Sequence, residues 1–439
     1  MPYDSPRNNA LAQGRPSDSP RNNVLAQGRP SDSPRNNALA RGGRLPIVPV
    51  MLAGFAAFVD LYATQPLLPL LARTFDASRF AVSLTITAPT VAVALAAPGI
   101  GRLADSLGLR RVIVGSAFAI AIATALAATS TSLSQLIFWR FVQGLVTPGV
   151  FAGTVAYIHE VWPASHGGRG MAAYMTGTIA GGFTGRAVAG LVAADASWAA
   201  SFVALGAINL AVAIALAMWL PSERAGTAEP GSDRVKGRGG ALGEHLRNPL
   251  LIATYAIGFC ILFTQVAMFT YVTFHLAAPP YSLSTVALGW LFVVYLVGIV
   301  ITPFGGRWID RYGHRTGLAM AMALGAAGAL LTLAPWLPVI VAGLALCSSG
   351  VFIAQAATSS YIGAVTTRDR ALAVGLYSTF YYAGGSVGGA APSALWAKGG
   401  WTACVALIVV VQCVGVVISL TQWSSASSAL DAALPESGV

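Results

Sequence analysis

From about residue 46 to residue 423, apolar segments of membrane-span length follow one another, separated by short polar breaks. A helix of about 20 apolar residues, rising 1.5 Å per residue, crosses the ~30 Å hydrocarbon layer of a bilayer. Such segments occur at 47–72, 80–100, 112–129, 134–158, 171–193 and 199–220, then at 249–277, 284–304, 317–333, 338–364, 371–395 and 402–423. With no water at hand, backbone polar groups must pair within the segment, so each should be an α-helix. Composition agrees: 55% of residues are hydrophobic and 10% charged, against roughly 25% charged in soluble domains. The expected fold class is all-α integral membrane, with twelve transmembrane helices in two six-helix bundles.

Charge placement sets an orientation. Of 26 Lys and Arg, only Arg73, Arg79 and Lys398 fall in the loops of one side, and Arg140 and Arg186 fall inside spans. All the others lie on the opposite side, which is the cytoplasmic one by the positive-inside rule. Both termini are then cytoplasmic in a multi-pass protein of the cell (inner) membrane. The net charge of +10 does not indicate nucleic acid, because no polar surface interleaves basic and aromatic residues.

Residues 1–45 contain three copies of a 14-residue unit, starting at Asp4, Asp18 and Asp32. The unit is polar and rich in Pro, Gly, Asn and Ser, so a disordered cytoplasmic tail is expected. It also lacks the apolar core of a signal peptide. The remaining expected divisions are 46–220 (first bundle), 221–248 (cytoplasmic linker), 249–423 (second bundle) and 424–439 (cytoplasmic tail).

An internal repeat relates the halves. Gly101-Arg102-Leu103-Ala104-Asp105-Ser106-Leu107-Gly108-Leu109-Arg110 matches Gly306-Arg307-Trp308-Ile309-Asp310-Arg311-Tyr312-Gly313-His314-Arg315, 205 positions on. Tyr174, Gly181, Gly182, Gly185 and Trp198 recur as Tyr377, Gly384, Gly385, Gly388 and Trp401, at an offset of 203. Near-equal offsets imply two bundles of one topology, the parallel repeat seen in transporters. The glycines permit a sharp reversal, and Asp105 can sit near a helix N-terminus, where a carboxylate is favoured.

The first of these loops resembles the hallmark G-x-L-a-D-r-x-G-r-k/r of the major facilitator superfamily, and the second echoes it. The resemblance covers about 46–423. It implies alternating access to a central cavity, with Gly101, Asp105, Gly108, Arg110, Gly306, Asp310, Gly313 and Arg315 as gating-loop residues. Arg140-Phe141-Val142-Gln143-Gly144 resembles the superfamily's R-x-x-q-G, whose Arg is associated with proton transfer in proton-coupled members. Asp60-Leu61-Tyr62-Ala63-Thr64-Gln65-Pro66 resembles the first-helix motif of drug:proton antiporters, so the expected branch is that of drug:proton antiporters and sugar-efflux permeases.

A buried charge is costly in a membrane and needs a partner or a wet cavity. Counted along their helices, Asp60 and Arg140 differ in depth by about 8 Å, within reach of an Arg side chain. Asp60 is expected to alternate between holding a proton and pairing with Arg140 or a cationic substrate; a static ion pair is the alternative. Gly181-Gly182-Phe183-Thr184-Gly185-Arg186-Ala187-Val188-Ala189-Gly190 resembles the exporter motif G-x3-G-P-x2-G-G, with Arg186 in place of Pro and Ala189 in place of a Gly. Gly181, Gly185 and Gly190 are expected to bring two helices close. Arg186 either bonds backbone carbonyls or Asp195, or favours an anionic or zwitterionic substrate.

Milder cavity candidates are Tyr62, Gln65, Gln265 and Gln355, with Thr264, Tyr271, Ser348, Ser349, Thr358 and the cluster Tyr377, Tyr381 and Tyr382. His275 is expected at the interface. The four cysteines lie in apolar runs without ligand spacing, so core thiols are expected, with no metal site and no cofactor. No phosphate-binding loop and no HExxH follow from the sequence, and no enzyme is expected. The reading is a secondary transporter moving a small molecule against protons, most readily outward. A proton-symport importer and a non-transporting sensor are the rivals. One chain holds both halves, so a monomer is expected.

Overall fold

The computed structural model describes residues 46–162, 166–222, 243–366 and 370–423. The tail 1–45, most of the linker and the tail 424–439 lie outside the described residues.

All regular structure among the described residues is helical. The first half comprises Ile47–Val59 (α1), Leu68–Thr74 (α2), Arg79–Ala96 (α3), Ile100–Leu107 (α4), Leu109–Ala128 (α5), Leu133–Val161 (α6), Gly167–Asp195 (α7) and Trp198–Trp219 (α8). The second comprises Pro249–Ala277 (α9), Thr285–Trp290 (α10), Val297–Leu331 (α11), Leu337–Val365 (α12), Arg370–Ala390 (α13) and Pro392–Gln422 (α14). Short 3-10 stretches at Gln65–Leu67, Ala97–Gly99 and Leu291–Leu296 continue three of these helices.

Seven helices among the described residues are by themselves long and apolar enough to cross a membrane. The other expected spans depart for local reasons. The first, expected to be continuous over 47–72, is broken after Val59. Pro66 has no N–H to give Tyr62 and its ring crowds that carbonyl, so Gln65 N–H turns to the Tyr62 oxygen at 3.1 Å instead. The eighth span tightens into a 3-10 stretch, and α11 runs into the ninth span through Gly313. In α7 and α13, glycines and hydroxyl side chains dilute the apolar residues.

The two repeat loops share one backbone solution. Gly108 has φ 87° and Gly313 φ 76°, a region that strains any residue with a Cβ. At the opposite end of the molecule, helices begin on serine caps. Ser78, Ser132, Ser197 and Ser284 accept from the N–H of Ala81, Gln135, Ala200 and Ala287 at 3.1–3.3 Å, satisfying donors that a helix start leaves free.

Packing repeats as well. α1 lies along α7, and α9 lies along α13. A Cβ on Gly177, Gly181 or Gly185 would strike the carbonyl of Met51, Phe55 or Val59, and one on Gly384 or Gly388 would strike Phe259 or Phe263. The halves touch where α3 meets α13 and where α7 meets α10. Large apolar side chains such as Ile122, Phe138, Val203, Met218, Val300 and Val410 are exposed, an outward belt that suits lipid and not water. Cys260, Cys347 and Cys404 are buried free thiols, whereas Cys413, expected in the core, is exposed on α14.

Candidate functional site

At the break after α1 the Asp60 carbonyl keeps only a tight turn bond from the Ala63 N–H at 3.0 Å, and Arg140 of α6 adds its donors there. Its Nη1 donates to the Asp60 carbonyl at 2.9 Å and its Nη2 to the Leu61 carbonyl at 2.6 Å. Nε reaches the Thr85 carbonyl of α3 at 3.1 Å, and Nη1 also reaches Gln143 Oε1 at 2.6 Å. The side chain is fully buried. The planar fork thus ties three helices to one point, a task suited to guanidinium rather than ammonium.

The Asp60 carboxylate turns away from this fork, which corrects the expected side-chain pair. Oδ2 accepts from Thr124 Oγ1 and from Asn209 Nδ2, the latter at 2.6 Å. Gln143 Nε2 donates to Thr124 Oγ1 at 2.7 Å. Arg140 therefore reaches the carboxylate only through Gln143 and Thr124. Asp60 is buried, and its Oδ1 has no hydrogen-bond partner among the described residues. A carboxyl group with one free oxygen in a dry interior can take up a proton without breaking a bond it already makes.

Arg186 of α7 occupies a second buried position. Nε donates to Gln65 Oε1 at 2.7 Å and Nη1 to the Gly182 carbonyl. Three rings surround it: Tyr62 at 5.1 Å, Phe292 at 4.7 Å and Tyr295 at 4.8 Å from the guanidinium carbon. Gln65 Nε2 also donates to Thr270 Oγ1 of α9 at 3.2 Å, so this cluster joins the two halves. Of the two partners expected for Arg186, the backbone carbonyl is present and Asp195 is not among its bonds.

A family model described as "Major Facilitator Superfamily" matches residues 50–294 and 272–426. The chain belongs to the major facilitator superfamily. Among its relatives are the uncharacterized MFS-type transporter YybF of Bacillus subtilis (strain 168), 33% identical over 81% of this chain and 88% of that one. The inner membrane transport protein YnfM of Escherichia coli (strain K12) is 30% identical over 82% and 86%. Two solved structures share the fold. The inward-facing, occupied bacterial homologue of the human lysosomal transporter Spinster aligns with TM-score 0.70 at 16% identity, covering 86% of this chain and 97% of that one. The nucleoside transporter NupG aligns with TM-score 0.71 at 12% identity, covering 86% and 99%. As a member of the superfamily the chain is a multi-pass secondary transporter of a small-molecule substrate, and not an enzyme.

The superfamily loops differ in detail from the expectation. Gly108 and Gly313 make the turns, while a Cβ on Gly101 or Gly306 would meet nothing within 4 Å. Those two glycines lie inside α4 and α11 and are not where the chain reverses. Asp105 is exposed, four residues before the helix that starts at Leu109, and that helix start has no side-chain cap bond. Arg110 donates to the Leu220 carbonyl at 2.7 Å and to the Ala217 carbonyl, a cation on the C-terminal end of α8. Its counterpart Arg315 is exposed; the side chain of Asp310 lies outside the described residues. Gly190 packs on α10, against Thr285 and Gly289, rather than on α1.

Of the milder candidates, Tyr62, Gln65 and Gln265 gather around Arg186 and Tyr295. Gln355 is half-buried and joins neither cluster. Tyr377, Tyr381 and Tyr382 form a ring cluster on α13, with Tyr382 stacked at 5.7 Å on Phe151 across the halves. Tyr271 donates to the Gly389 carbonyl at 2.9 Å. His275 stacks on Trp401 at 5.5 Å. Asn209 and Thr124 are the site residues that sequence reasoning missed. Asn209 carried a signal, being the one amide in the sixth span; Thr124 carried none.

Proposed function

We propose that the chain is a proton-coupled exporter of a small molecule, with Asp60 as the proton carrier and Arg140 as the residue that holds the first helix open around it. The observation that carries this reading is the Asp60 carboxylate: buried, bonded through Oδ2 and free at Oδ1, at the point where α1 breaks. Protonation there changes the charge of the break itself, and so can bias which arrangement of the halves is favoured.

In this reading residues 46–220 and 249–423 rock as two bundles in the inner membrane, with both termini cytoplasmic. The contacts between halves include Arg79 with Phe274 and Trp396, Gln65 with Thr270, Ser386 with Thr90 and Thr379 with the Ala94 carbonyl. The loops around Asp105 and Asp310 then gate the cytoplasmic side. Outward export rests on the likeness of the Gly181–Gly190 segment to the exporter motif.

The test uses inside-out vesicles with an acidified lumen, an internal pH dye and a panel of small metabolites and drugs. Addition of a transported compound should release protons from the lumen, and Asp60→Asn should abolish that release. Undiminished proton release by Asp60→Asn would refute the carrier role.

A further inference from the structure

Arg186 is a buried cation without an acid. Its electrostatic neighbours are the Tyr295 and Tyr62 side chains, whereas Arg140 has Asp60 nearby. A guanidinium offers five N–H donors. Two of them bond Gln65 and Gly182, and the other three have no acceptor among the described residues. Three rings stand within 5.1 Å of its carbon, and a guanidinium with donors to spare takes a carboxylate by paired N–H bonds.

Two further polar groups at the same place are unsatisfied. Among the described residues the Tyr62 hydroxyl and Gln265 Oε1 have no hydrogen-bond partner, and both residues are more than nine-tenths buried, with 7% and 9% exposure. Tyr62 lies under the Arg186 guanidinium, and Gln265 adjoins Tyr295. The hydroxyl is a donor for an anion, and the amide oxygen is an acceptor for a second polar group on the same molecule. Buried polar groups left unpaired are costly, and here they converge on one cation where the halves meet.

We infer that Arg186 anchors the acidic group of the transported molecule, an organic anion whose ring-bearing body packs on Tyr62, Phe292 and Tyr295. The inference rests on the transporter reading of the central site but not on the direction of transport or on Asp60. Because the rings come from both halves, a bound anion ties the halves together around itself.

The experiment measures binding to the purified full chain in nanodiscs at pH 7, using two isosteric series. The probes are benzoate, benzamide and benzylamine, and indole-3-acetate, indole-3-acetamide and tryptamine. The acids should bind while the amides and amines bind at least tenfold more weakly, since a charge-assisted bond contributes about ten- to a hundredfold. Arg186→Gln should weaken acid binding by that factor. Arg186→Lys, which keeps the charge and guards against a folding defect, should give intermediate affinity. Acids binding no better than their amides, acid binding unchanged in Arg186→Gln, or no acid binding at all would each overturn the inference. Asp60→Asn separates the two readings: it should retain acid binding even where proton release is lost.

Discussion

Arg140 bonds Asp60 by its main chain and makes no hydrogen bond to its carboxylate. The guanidinium donates to the Asp60 carbonyl at 2.9 Å, while the carboxylate oxygen Oδ2 lies with Thr124 and Asn209. The cation thus stabilises the shape of the break, and the acid is left to the pair of neutral donors.

Arg140→Lys should therefore fail structurally as well as functionally. An ammonium cannot reach the carbonyls of Asp60, Leu61 and Thr85 together with Gln143, and the orphaned acceptors cost about 1–3 kcal/mol each. A thermal-unfolding midpoint well below that of Asp60→Asn, measured in the same detergent, is the expected result.

Asn209→Leu removes the 2.6 Å donor to Asp60 but none of the Arg140 bonds. Stability should fall by about 1–3 kcal/mol, and substrate-triggered proton release should drop at least tenfold while Arg186-dependent binding of acids persists. Vesicle flux and nanodisc binding, run on one preparation, check both halves of this expectation.

Glycine substitutions should sort by what a Cβ would meet. Gly185→Ala collides with the Val59 carbonyl and should cost about 1–3 kcal/mol. Gly108→Ala strains a backbone at φ 87°, ψ 146° and should cost about 1–3 kcal/mol. Gly101→Ala meets open space inside α4 and should cost nothing, gaining up to about 1 kcal/mol of helix propensity. Unfolding midpoints of the three variants give the order directly.

Arg79 lies 5.9 Å from the Phe274 ring and 5.1 Å from the Trp396 ring, bridging the halves at the serine-capped end. Each exposed contact of this type contributes about 0.5–1 kcal/mol. Arg79→Gln should shift the population toward opening of that end by roughly fivefold or more. Spin labels at Thr74→Cys and Lys398→Cys, with the exposed Cys413 replaced by Ser, should report longer distances in the variant.

The membrane architecture was legible because span length and charge segregation are imposed by the bilayer and survive any detail of packing. The repeat was legible too, since Gly108 and Gly313 answer the same backbone demand. The break at Asp60 was also written in the sequence, as Pro66 and Pro69, but an apolar run of 26 residues from 47 to 72 conceals a proline near its end. The carboxylate's partners were not legible. Thr124 and Asn209 lie on α5 and α8, and only tertiary packing decides that α5 and α8 present them to α1. For the same reason depth arithmetic placed Arg140 near Asp60 correctly, yet could not tell a carboxylate from a carbonyl.

The contacts of Gly177, Gly181 and Gly185 stop at Val59, one residue before Asp60. Up to that point α1 is splinted to α7 at every turn, and bending it there would drive carbonyl into backbone. Beyond it, the chain leaves the glycine splint, and Arg140 on its carbonyls, Thr124 and Asn209 on Asp60 and Arg186 on Gln65 set its course. The acid thus stands at the first position of α1 past the glycine contacts, where the chain exchanges a backbone-to-backbone fit for side-chain bonds.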